Sequence, residues 1–277
     1  MFLNQLLKIY SENKEKDKLY LRSLLKEAIQ AYLLKFISAS KWNDKLIFKG
    51  GTALRFCFDL PRLSEDLDFD VEEFDKFDIE DFANSIKTYI SQELKYHDLE
   101  VKVAKNKRTI YLKFPILRQL GVDVGSSESN IVHVRLDFAQ APDFKFNIEV
   151  STKLTLGMAL IMRRYSISDL FAGKIAAILT REKIEGVTLS ERFKGRDYFD
   201  LIWYLERKVE PNWNIVKKQT GFDKKKAISK LKIKAARITK EQLIEDLSPF
   251  IDDPAFVESF AQNYQKLFGL QNLQSFN

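Results

Sequence analysis

The stretch FKGGTALRFCFDLPRLSEDLDFDV, residues 48–71, decides how the chain is read. A short apolar run, Leu46 to Phe48, leads through Lys49 into two adjacent glycines. Gly50 and Gly51 carry no Cβ, so the backbone can turn sharply there and come close to a ligand. Residues 52–58 suit a helix, and its first N–H groups would face the turn, an arrangement that favours a phosphate. From Asp66 onward, acidic and apolar residues alternate with the strand period of two. Asp66, Asp68 and Asp70 then share one face, and Leu67, Phe69 and Val71 are buried on the other. Carboxylates side by side on one strand face repel unless a cation lies between them, and hard oxygen donors of this kind suit magnesium. A DxD alone describes many solvated strand faces; the Gly-Gly turn ahead of this one points to a nucleotide site.

GGTALR followed by RLSEDLDF resembles the signature of the AbiEii/AbiGii family of toxins, within the DNA polymerase β-like nucleotidyltransferase superfamily. The resemblance implies an α+β fold, a polymerase β-like core with a mixed β-sheet flanked by helices and a helical C-terminal part. It also implies that Lys49, Gly50, Gly51, Thr52, Arg55 and Ser64 bind a nucleoside triphosphate, and that Asp66 and Asp68 hold catalytic Mg²⁺ or Mn²⁺.

Outward from this stretch the periodicities are regular. Residues 2–10 and 17–38 read as helices, the second with Leu21, Leu25, Ile29 and Leu33 at helical spacing. Residues 78–94 repeat the helical pattern behind Asp78, a suitable cap. The period then changes to two over 99–103, 109–114, 131–138 and 146–150, with 121–130 as an irregular connection. In the strand Val132-His133-Val134-Arg135-Leu136-Asp137-Phe138 the polar row ends on a carboxylate. By itself Asp137 reads as a surface residue. Placed beside the DxD strand it completes the three-carboxylate metal site that the resemblance implies, with Glu149 a weaker candidate on the next strand.

From Ser168 the pattern is helical, with Ser168 or Asp169 as cap. Lys174 lies four residues from both Leu170 and Ile178 and so borders the apolar stripe, where a lysine can extend its ammonium to water. Asp169-Leu170 through Lys174 to Ala177 also fits the family pattern D-L-x-x-x-K-x-x-A, in which the lysine faces nucleotide phosphates. A polar loop containing Glu182, Lys183, Glu185, Gly186 and Glu191 follows. The string Arg196-Asp197-Tyr198-Phe199-Asp200-Leu201 sets two carboxylates three apart on one helical face. It matches the R-D-x-x-D-L element that borders the family's active site. The resemblance therefore adds Lys174, Asp197 and Asp200 as catalytic residues and Arg196 as a nucleotide ligand. Four further helices are expected over 212–219, 223–236, 240–250 and 254–268.

Composition bounds the rest. The 277 residues are 45% apolar, enough for a sizeable core. No apolar run reaches membrane-spanning length, and the N-terminus lacks the pattern of an export signal. A single cysteine, Cys57, forms no internal disulfide, reads as a buried inert thiol, and fits a reducing cytoplasm. Charge is uneven: residues 1–150 carry 23 basic and 24 acidic side chains, residues 151–277 carry 22 and 15. Ten basic residues and one acidic lie between Lys217 and Lys240, which reads either as a solvated helical face or as a surface that follows RNA phosphates.

The expectation is a nucleotidyltransferase α/β domain over 1–165 with N-terminal helices, and a helical domain over 166–277 that contributes Lys and Asp to the site cleft. Its activity is Mg²⁺-dependent transfer of a nucleoside monophosphate from an NTP. The resemblance implies an RNA acceptor, a tRNA end, and a separately encoded antitoxin in a bacterial toxin–antitoxin or abortive-infection system. Two alternatives stay open: a metal-dependent phosphotransferase, and a non-catalytic module that binds GTP or another nucleotide and acts on RNA or a partner.

Overall fold

A computed structural model of the chain describes residues 2–122, 129–185, 188–191 and 193–270. The chain divides into two compact units, Met1–Arg164 and Tyr165–Asn277.

The first unit opens with helices α1 (Phe2–Asn13) and α2 (Lys18–Ser38). The Asp17 carboxylate accepts from the N–H groups of Leu19 and Tyr20 and so starts α2. Helix α2 is buried around its whole circumference over Ala28 to Leu34, and so is a core helix. Strand β1 (Leu46–Lys49), helix α3 (Gly50–Phe58) and strand β2 (Leu67–Val71) follow. Helix α4 (Ile79–Gln92) starts at Asp78, whose side chain accepts from Glu80 and Asp81 N–H. Strands β3 (Glu100–Val103), β4 (Thr109–Phe114), β5 (Val132–Gln140), β6 (Ile148–Thr155) and β7 (Met158–Tyr165) complete a mixed sheet of order β3-β4-β5-β2-β1-β7-β6. Strand β2 runs antiparallel to β1 and parallel to β5.

The buried side of the sheet carries an aromatic ladder. Phe48, Phe69 and Phe138, from β1, β2 and β5, stack with centroids 5.2 and 5.9 Å apart. Phe77 and Phe82 close against Phe138. Each buried ring contributes about 1.5–3 kcal/mol, and a one-residue slip of any strand would turn its ring to the opposite face. The ladder therefore sets the register of the carboxylates on the other side. Cys57 is a free thiol that burial pushes up to about 11, which keeps it protonated and unreactive.

The second unit begins with α5 (Ile167–Thr180) and continues through β8 (Glu182–Glu185), β9 (Thr188–Glu191), α6 (Gly195–Glu206), α7 (Trp213–Thr220), α8 (Lys224–Arg237), α9 (Lys240–Leu247) and α10 (Pro254–Leu270). A Cβ on Gly195 would meet the Gln242 carbonyl oxygen at 2.9 Å, so this glycine lets α6 start against α9. Among the described residues, no helix is long and apolar enough to cross a membrane.

Three sequence expectations need correction. Strand β7 was not anticipated, because its apolar run Met158-Ala159-Leu160-Ile161-Met162 has no clean alternation. Residues 182–185 and 188–191, expected as a polar loop, pair as an antiparallel hairpin; Gly186 lies outside the described residues. Helix α5 is capped by Ser166, which accepts from Asp169 N–H, and not by Ser168 or Asp169. Ser168 instead donates to the Glu210 carbonyl at 2.7 Å. Of the connection expected over 121–130, residues 123–128 lie outside the described residues.

Candidate active site

In the first unit the glycine turn sits at the junction of β1 and α3. Gly50 has φ +77°, a region in which a side chain is strained, and a Cβ there would lie 2.3 Å from Asp68 Oδ2. The Asp68 carboxylate thus rests on the bare glycine backbone. Gly51 is confined from the other side, since its Cβ would stand 2.8 Å from an Arg62 guanidinium nitrogen and 3.0 Å from Ser64 Oγ. The N-cap of α3 is Lys49, whose side chain has no acceptor and does not cap the first N–H groups of the helix. Thr52 is fully buried, and its hydroxyl donates to the Asp66 carbonyl, so its side chain is engaged within the protein. Gln30 of α2 donates to the Glu65 carbonyl at 2.9 Å and fixes the segment that leads into β2.

The carboxylates come from β2 and β5. Strand β2 begins at Leu67, so Asp66 belongs to the connection before it and Asp68 to the strand. Asp68 and Asp137 are register partners across the parallel β2–β5 pair, so their side chains leave the sheet on the same face. Thr109 faces Asp137 from β4 and donates to its Oδ1 at 2.7 Å. Arg135 covers the same carboxylate, with Nε donating to Oδ1 at 3.0 Å and a terminal nitrogen 2.7 Å from Oδ2. Asp66 is half-buried. Burial raises its carboxyl above the usual range, Glu65 and Asp137 push the same way, and Arg135 opposes them. Among the described residues, no three His, Cys, Asp or Glu side chains converge as a ready-made cation cage. The donor chemistry of Asp66, Asp68 and Asp137 nevertheless fits a hard divalent cation, with oxygen donors only and like charges crowded together.

Two other predicted nucleotide ligands of this unit are engaged within the protein. Lys49 Nζ lies 2.6 Å from Oδ1 of the buried Asp70. Arg55 pairs with Glu27 of α2 at 2.7 Å and donates to the Leu60 carbonyl at 3.0 Å, bracing α3 against α2. Glu149 pairs with Arg164 at 2.5 Å, on β6 and β7, well along the sheet from β2 and β5.

In the second unit, α5 and α6 bring Lys174 between Asp197 and Asp200, with Nζ 2.8 Å from a carboxylate oxygen of each. Arg181, at the end of α5, pairs with the remaining oxygen of Asp197. All four side chains are mostly buried, Asp200 completely. Burial alone would raise the Asp197 carboxyl, but Lys174 and Arg181 together hold it below the usual range. Arg196, predicted as a nucleotide ligand, is buried with its guanidinium 4.3 Å from the centre of the Phe250 ring, a packing position.

Sequence reasoning missed Arg62, Thr109, Arg135 and Arg181. Arg135 was visible as a polar strand residue two positions from Asp137, a spacing that places both on one face. Thr109 and Arg181 carry no local signal, because their contacts exist only once strands pair and helices pack.

A family model described as the nucleotidyl transferase AbiEii toxin of a type IV toxin–antitoxin system matches residues 31–273. The fold is similar to MenT4, a nucleotidyltransferase toxin from Mycobacterium tuberculosis, with TM-score 0.58 and 16% identity over 97% of this chain and 89% of that one. It is also similar to JHP933 from Helicobacter pylori, with TM-score 0.52 and 18% identity over 92% and 93%. Among curated proteins no sequence match was found.

Proposed function

Because this chain belongs to the AbiEii family of nucleotidyl transferase toxins of type IV toxin–antitoxin systems, we propose that it transfers a nucleoside monophosphate from an NTP to an RNA acceptor in the cytoplasm. The acceptor we infer is a tRNA end. The observation that carries this reading is the in-register pair Asp68 and Asp137 beside the Gly50–Gly51 turn, carboxylates and anion-binding backbone in one place.

In this reading Gly50, Gly51 and Thr52 offer backbone N–H groups at the start of α3 to the β- and γ-phosphates, with Ser64 and Arg62 beside them. Asp66, Asp68 and Asp137 would hold Mg²⁺, or Mn²⁺, which when bound offsets triphosphate charge and acidifies the acceptor hydroxyl. Asp137 orients that hydroxyl for in-line attack on the α-phosphorus and takes its proton. The new oxygen–phosphorus bond forms as the bond to the β-phosphate breaks, and pyrophosphate leaves. In the second unit Lys174 is assigned to phosphate charge, with Asp197 and Asp200 as positioning residues that fix its ammonium. The exposed lysines of α8 support an RNA acceptor through phosphate contacts. A separately encoded antitoxin follows from the family.

The test is incubation of the protein with Mg²⁺, total RNA and each α-³²P-labelled nucleoside triphosphate in turn, beside Asp68→Ala. Label entering RNA with the unmutated protein alone is the expected result, with pyrophosphate as the other product. A nucleoside diphosphate as product, or no label with any nucleotide, would overturn it.

A further inference from the structure

A single charged partner covers both oxygens of the Asp137 carboxylate: Arg135 stands 3.0 Å from Oδ1 and 2.7 Å from Oδ2. Arg135 and Asp137 lie two residues apart on one strand, so no movement of the sheet is needed to make or break the contact. Their exposures differ: the Arg135 side chain is 47% exposed and that of Asp137 is 24%. The guanidinium can therefore swing into solvent while the carboxylate stays in place. Thr109 supplies the reason that it would stay, since its hydroxyl continues to hold Oδ1 from β4.

We propose that Arg135 is an exchangeable counter-ion of the carboxylate cluster, occupying the place of the divalent cation at Asp137 until the cation arrives and displaces it. This rests on the cation site proposed above. The guanidinium neutralises the charge crowding at Asp66 and Asp137 in the metal-free protein, which keeps the strand ends stable without metal. It also competes with the cation for Asp137. A half-exposed ion pair is weak, so the competition is modest and reversible. Once displaced, the Arg135 guanidinium stands next to the site, available to a phosphate oxygen of the incoming nucleotide, to which its planar fork is suited.

The experiment is titration of the protein with Mn²⁺ in the absence of nucleotide, with free Mn²⁺ followed by electron paramagnetic resonance. It compares the unmutated chain with Arg135→Gln, Arg135→Lys and Asp68→Asn. Removing the competitor should tighten Mn²⁺ binding about threefold to tenfold in Arg135→Gln, with Arg135→Lys intermediate because an ammonium covers one oxygen at a time. Equal or weaker binding by Arg135→Gln overturns the inference. If Arg135→Gln fails to fold, as judged by thermal melting, Arg135→Lys carries the test with a smaller expected gain. Asp68→Asn separates the two layers. If it leaves Mn²⁺ binding unchanged, or if no variant binds Mn²⁺, the cation site itself is wrong. If it weakens binding while Arg135→Gln matches the unmutated chain, only the counter-ion role fails.

Discussion

A methyl group on Gly50 would lie 2.3 Å from Asp68 Oδ2, so the turn and the DxD strand are fitted to each other atom against atom. Gly50→Ala meets two penalties, this clash and a φ of +77° that costs a residue with a Cβ about 1–2 kcal/mol. The expected result is a lowered melting temperature together with loss of nucleotidyl transfer, as Asp68 is pushed aside. Gly51→Ala should be milder, because Gly51 is not in the left-handed region and its methyl would crowd Arg62 and Ser64 side-chain atoms at 2.8 and 3.0 Å, not Asp68. Equal transfer by Gly50→Ala and the parent would show that Asp68 does not act from this position.

Asp66 gives a pH-dependent prediction. Burial, helped by Glu65 and Asp137, raises its carboxyl, so the folded state disfavours the ionised form. The corresponding stability is full below the unfolded aspartate value of about 4 and is lost as pH rises through the raised folded value. Asp66→Asn should therefore melt higher than the parent at neutral pH without metal, with the gap closing toward pH 4, while transfer activity disappears. A gap that stays constant across this range would dismiss the electrostatic origin.

The Lys174 network behaves in the opposite sense. The lowered Asp197 carboxyl contributes stability above about pH 4 that is lost as pH falls through its folded value. Lys174→Met removes one ammonium from two buried carboxylates and should cost about 3 kcal/mol at pH 7 by urea denaturation. The cost should shrink in acid, as the carboxyls take up protons. A loss under about 1 kcal/mol at pH 7 would mean that the cluster is hydrated rather than buried.

Arg55 separates bracing from binding. Its bonds to Glu27 and the Leu60 carbonyl predict that Arg55→Ala lowers stability by about 1–2 kcal/mol with KM for the nucleotide unchanged. A KM raised tenfold at equal stability would return Arg55 to the nucleotide.

The basic helix is tested by salt. Lys225, Lys232 and Arg237 of α8 are exposed, while Ala227, Leu231 and Ala235 face inward. Changing the three basic residues to Gln should reduce the slope of log affinity for RNA against log salt by about 2, at roughly 0.7 for each phosphate that the helix no longer neutralises. An unchanged slope would place the RNA elsewhere.

Much of this was readable in the sequence where one periodicity dominates. Helices α2 and α4 announce themselves through Leu21-Leu25-Ile29-Leu33 and Phe82-Ile86-Ile90, the latter behind the Asp78 cap, and β5 through its strict alternation. Strand β7 was not legible, since residues apolar on successive positions fit a helix as well as a strand. The pairing of Asp68 with Asp137 depended on which strands are neighbours, information that no local stretch of sequence carries. The engagement of Arg55, Lys49 and Arg196 inside the protein was hidden for the same reason. A basic residue near a phosphate-binding turn looks alike in sequence whether it points to the ligand or to a glutamate on another helix.

The ladder of Phe48, Phe69 and Phe138 has a consequence beyond holding the sheet together. The alignment of Asp68 with Asp137 is held by rings on the reverse side, as the set of two teeth is held by the jaw. Phe69→Leu would touch neither carboxylate and no ligand, yet it would loosen the gauge to which both are set. Loss of activity from such a change would mark the ladder as part of the instrument and not merely its casing.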